Sequence, residues 1–104
     1  MNTTSVTTRQ DAERTILEHY GKQKQELQAV QELTELILLL AARPDQRGHG
    51  YERNILSELA DVRIMCDQIQ MLYEIPDDAV EDMIAYKLRR QLSRIEKEVE
   101  NGSR

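Results

Sequence analysis

"VQELTELILLL", Val30 to Leu40, is answered by "NILSELADVRIM", Asn54 to Met65, and the reading of these two segments decides the fold. Each residue of an α-helix advances about 100°, so residues three or four apart share a face. Around the first segment, Leu27, Val30, Thr34, Ile37, Leu38 and Ala41 form one such apolar face. A second stripe on the same helix passes through Gln25, Gln28, Glu32, Glu35, Leu36 and Leu39. The other segment belongs to a helix with apolar residues around most of its circumference, from Ile55 and Leu56 to Met71 and Leu72, leaving only a strip through Glu52, Arg63, Asp67 and Gln70 for water. A helix apolar nearly all round is covered on several sides.

Working outward, the spacing predicts one long helix over 22–43, ended by Pro44, and another over 51–73. The connection "PDQRGHG" holds the turn and loop formers. "DAERTILEHY", Asp11 to Tyr20, fits a short first helix with Gly21 as its stop. "EIPDD" makes a turn, with Asp77 as N-cap of a last helix that continues to about Glu100. The expected fold class is all-α, a bundle of about four helices in one domain over 9–100, between a disordered N-terminal tail over 1–8 and a frayed C-terminus over 101–104. A chain of 104 residues builds a small core, so a homo-oligomer, dimer or tetramer, is expected to supply the missing cover.

Composition supports this class: with four Gly, two Pro and 32% charged residues, the chain is built like a helical protein and not like a β-sandwich. The net charge of −5 argues against nucleic acid as a general partner. The single cysteine, Cys66, excludes an intrachain disulfide and a thiolate zinc cage, suits a reducing compartment, and reads as a core residue beside Met65. The longest apolar run, "LILLLAA", is far short of the roughly 20 residues that span a bilayer. The expectation is a soluble, cytoplasmic protein with no membrane partner.

Against that background the acids stand out. Glu32 and Glu35 are three apart, as are Glu58 and Asp61, and the two pairs face each other if their helices pack antiparallel. Carboxylates bordered by Leu, Val and Met lose hydration, and neither stripe carries a Lys or Arg near them. A cation from another helix, another subunit or a metal ion is needed. Four converging carboxylates suit Mg²⁺, a hard ion that takes oxygen ligands, with Mn²⁺ as a substitute; His19 and His49, the only imidazoles, are not spaced with the acids as a zinc site requires.

"QELTE", Gln31 to Glu35, followed after 22 intervening residues by "ELAD", Glu58 to Asp61, resembles the EExxE…ExxD signature of the MazG-like all-α nucleoside triphosphate pyrophosphohydrolases. "HYGKQKQ" and "YKLRRQLSRIE" are similar to the short phage and bacterial branch of that family, extending the resemblance over 16–96. The resemblance implies an enzyme that cleaves a nucleoside triphosphate to the monophosphate and pyrophosphate, with Glu32, Glu35, Glu58 and Asp61 as ligands of Mg²⁺. Gln31 stands where the family has its first Glu; a Gln offers a carbonyl oxygen but no base, which turns attention to Glu35 or Glu58 as the group that orients water. Cations for the phosphates are expected from the last helix, at Lys87 first and then Arg90 and Arg94, while Lys97 reads as solvated. Gln25 matches a Gln that the family keeps upstream of its acids and is a candidate substrate contact. Ala85 occupies the place of a family Asn. The competing reading is a non-catalytic helical dimerisation or adaptor protein derived from the family, for which Gln31 and Ala85 are the signs.

Overall fold

The structure is a computed structural model and describes residues 8–102. Among them are four α-helices and no strand: α1 (Arg9–Tyr20), α2 (Lys22–Ala41), α3 (Tyr51–Leu72) and α4 (Asp77–Glu100), with a short 3₁₀ turn at Pro44–Gln46 between α2 and α3. None of these helices is long and apolar enough to cross a membrane. Most of the tail expected over 1–8, and the last two residues of the frayed end, lie outside the described residues; Asn101 and Gly102 form a turn.

Local chemistry sets the boundaries. The Thr8 hydroxyl accepts the Asp11 N–H at 3.0 Å and caps α1. Gly21, at φ 91°, lets the chain leave α1 and enter α2 with a single intervening residue. α2 stops at Ala41, two residues before the sequence-based limit, because the residue preceding a proline is disfavoured in the helical region; Arg43 is extended at ψ 144°. Pro76, not Asp77, is the N-cap of α4: its ring holds φ near the helical value while ψ stays extended, and Asp77 is the first helical residue.

The range taken above as one domain divides into two compact units, with the boundary between Tyr73 and Glu74. In the first, α2 packs along α3 and α1 packs against both. Its buried apolar residues are Leu17, Ala29, Val62 and Met65. Leu27, Val30, Ile37 and Leu38, the apolar face of α2, are mostly exposed; α2 packs inward through its mixed stripe, burying Gln25 and Ala29 and half-burying Gln28, Glu32, Leu36 and Leu39. α3 likewise leaves Leu56 exposed, and Cys66 is exposed and not in the core. The second unit contains α4, an amphipathic helix with no buried residue, whose Ile84, Leu88, Leu92, Ile95 and Val99 are exposed.

Candidate metal centre

Three cross-helix contacts fix how α2 and α3 meet. Gln25 Nε2 donates to Gln68 Oε1 at 2.7 Å, Glu32 approaches Glu58 and Asp61, and the Tyr51 hydroxyl donates to the Leu39 carbonyl at 2.7 Å. Numbers rise on one helix as they fall on the other, so the helices are antiparallel, as the facing acid pairs require.

In the middle of this seam, one carboxylate oxygen each from Glu32, Glu58 and Asp61 lie within 4.8 Å of one another, and all three residues are half-buried. Glu32 Oε2 accepts from Gln28 Nε2 at 2.7 Å. Glu32 Oε1 and Glu58 Oε1 are buried and have no hydrogen-bond partner among the described residues. Buried polar atoms are nearly always paired, so two orphan acceptors in one cluster mark a place where a donor or a cation belongs. Glu35 is exposed and stands outside the triad, yet it lines the same cavity as Glu58 and its charge acts on it.

Crowding shows in the proton affinities. Glu58 is pushed up to about 7, first by the adjacent Glu32 carboxylate, then by lost hydration and the charge of Glu35. Glu32 is held below its ordinary value, chiefly by the neighbouring Glu58 carboxyl, with the Gln28 amide adding to the effect. Asp61 is raised by lost hydration and by the Glu32 charge. The three carboxylates therefore titrate as one coupled group.

The donor set fits a hard divalent ion. It is all oxygen, anionic, and includes two acceptors that nothing among the described residues satisfies. Among the described residues no other group of three His, Cys, Asp or Glu side chains is placed to hold a metal.

Two open cavities flank the cluster. One, of about 520 Å³, lies where α2 ends and α3 begins and is lined by Glu35, Glu58, Arg47, His49, Asn54 and Ser57, among others. The other, of about 440 Å³, is lined by Glu32 and Asp61 with Tyr20, Lys24, Gln25 and Gln28. Gln25 is buried and committed to Gln68, so it faces this second cavity as part of a fixed pair. Gln31 is exposed. Lys87, Arg90 and Arg94 are exposed on α4, in the second unit, where the Arg90 guanidinium lies 5.5 Å from the Tyr86 ring centroid.

Sequence reasoning missed two buried polar residues, Glu13 and Gln68. Gln68 Nε2 donates to the Glu13 carbonyl at 2.9 Å, and the Glu13 carboxylate takes Arg9 Nε at 3.2 Å. Arg9 also pairs with Asp67 at 2.7 Å, so part of the strip assigned to water is engaged with α1. Spacing carried a signal for Gln68: it falls three residues after Met65 and seven after Asp61, on the inward stripe.

In comparisons with known proteins, no family model matches the chain, and neither does any curated protein or solved structure.

Proposed function

We propose that the protein is a Mg²⁺-dependent nucleoside triphosphate pyrophosphohydrolase of MazG-like type, acting as a homo-oligomer in control of the nucleotide pool. The observation that carries the reading is the pair of orphan carboxylate oxygens, Glu32 Oε1 and Glu58 Oε1, inside a cluster completed by Asp61. Glu32, Glu58 and Asp61 would hold the ion, with Glu35 beside them. A divalent cation there supplies charge neutralisation for a polyphosphate, the main requirement of phosphoryl transfer.

The chain's own groups do the rest. Gln28 holds one oxygen of Glu32 and so aims the other into the cluster. Glu35, exposed at the cavity wall, takes the proton of the attacking water as its oxygen bonds to phosphorus and the bond to pyrophosphate breaks. The uncovered apolar face of α2 is what a second subunit would cover.

The test is pyrophosphate release across a panel of ribo- and deoxynucleoside triphosphates, with and without Mg²⁺ or Mn²⁺. Metal-dependent release, lost in Glu58→Gln and Asp61→Asn proteins that remain folded, is the expected result. The same uncovered face favours a second reading, a non-catalytic dimerisation or adaptor module. No turnover on any nucleotide, together with no metal-induced rise in melting temperature, would decide for it.

A further inference from the structure

The acid cluster borders two cavities of unlike chemistry, and the difference orients a substrate. The cavity on the Glu32 and Asp61 side offers amides and apolar walls; among the described residues its one cation, Lys24, lies 4.9 Å from the centroid of the Tyr20 ring. The cavity on the Glu35 and Glu58 side offers Arg47 and His49, with Asn54 and Ser57 as further donors.

Arg47 is fixed in place. Its Nε donates to the Ala42 carbonyl at 3.0 Å, one terminal nitrogen donates to the Leu40 carbonyl at 3.2 Å, and the guanidinium lies 4.7 Å from the Tyr51 ring centroid. Tyr51 is in turn tied to Leu39. Two of the five N–H groups are thereby used to hold the fork rigid, and the others remain for a ligand. A pre-positioned guanidinium loses little freedom when it binds an anion, and carbonyl partners leave its charge unneutralised.

We infer that this loop cavity is the binding subsite for the pyrophosphate end of the substrate, with Arg47 and His49 as its contacts, so that the phosphates are recognised within the same unit as the acids. The inference rests on the function proposed above and replaces the expectation that cations of α4 take the leading part. Glu35 and Glu58 would repel a phosphate on their own; the subsite works only with a cation between them, which makes pyrophosphate affinity metal-dependent.

The probe is inorganic pyrophosphate, measured by titration calorimetry on the full chain at saturating Mg²⁺, with Mn²⁺ binding followed separately by electron paramagnetic resonance. Arg47→Ala should weaken pyrophosphate by about tenfold or more while leaving Mn²⁺ affinity unchanged, the loss expected for a charge-assisted contact. Arg47→Lys should fall between, because it keeps the charge and loses the fork. His49→Ala, an exposed position, should weaken pyrophosphate without disturbing the fold even if the Arg47 variants unfold. Normal Mn²⁺ binding with unchanged pyrophosphate affinity in His49→Ala and in folded Arg47→Ala overturns the subsite alone. Absence of Mn²⁺ binding in the unaltered protein overturns the proposed function and the subsite with it.

Discussion

Two stretches of the α2–α3 seam bury polar groups and treat them in opposite ways. Toward α1, Gln25, Gln68, Glu13 and Arg9 form an unbroken series: amide to amide at 2.7 Å, amide to carbonyl at 2.9 Å, guanidinium to carboxylate at 3.2 Å. Two turns along, Glu32, Glu58 and Asp61 meet with two acceptors unpaired and no Lys or Arg among them. The same two helices are thus able to satisfy buried polar groups, and at the acids they do not. A stretch built for stability has its donors and acceptors matched in the chain; a stretch left short of donors is completed from outside.

The sharpest way to break this comparison is to remove one acid. Asp61→Asn should lower pyrophosphate release by about a hundredfold or more, because a cation at such a site contributes several kcal/mol to the reaction. Its fold should stand, since the paired series is untouched. An active Asp61→Asn enzyme would return the acid cluster to the status of an ordinary helix surface.

Metal addition separates the stretches next. If a cation completes the acid cluster, Mg²⁺ at a hundred times its dissociation constant stabilises the chain by about 2.7 kcal/mol. The rise in melting temperature should vanish in Glu58→Gln and survive in Gln68→Leu. A rise of equal size in all three proteins would mean that the ion binds elsewhere.

Gln68→Leu probes the matched stretch by itself. Gln68 is 1% exposed, and a leucine of similar bulk strands Gln25 Nε2 and removes the tie to the Glu13 carbonyl. The cost should be about 1–3 kcal/mol, read as a lower urea midpoint with an unchanged slope. A neutral result would show that the amide series is incidental to stability.

What the sequence disclosed follows the same division. The helices and the facing acids were legible because helical spacing and the stops at Gly21 and Pro44 are local signals. That the apolar face through Leu27, Val30 and Ile37 is left exposed was not, since α2 packs through Gln25, Ala29 and the acid stripe at Glu32. That choice belongs to α3 and α1: Gln68 of α3 accepts from Gln25 on the polar stripe and donates in turn to the Glu13 carbonyl of α1. The short side chain of Ala29 lets the helices approach, a property that no hydropathy pattern expresses. Cys66, read as a core residue on the same helical pattern, is exposed.

The smallest expected effect is the dependence of metal-free stability on pH, and it reports chiefly on the acid cluster through Glu58. Glu58 is raised from its ordinary 4.5 to about 7, so between those values the folded chain holds a proton that the unfolded chain has released. Stability then falls as pH rises through that window. Asp61 and Glu13 are raised as well and add to the fall, whereas Glu32, held below its ordinary value, acts at lower pH, where its stabilising contribution is lost as pH drops. In chelator, the melting temperature should decrease from pH 5 to pH 7.5, and Glu58→Gln should reduce the decrease and melt above the unaltered protein at the upper end, because it removes a charge that its neighbours oppose. Saturating Mg²⁺ should flatten or reverse the trend, since the cation takes the place of the proton on Glu58. A metal-free melting temperature that climbs over this range would mean that the three carboxylates are not crowded in solution.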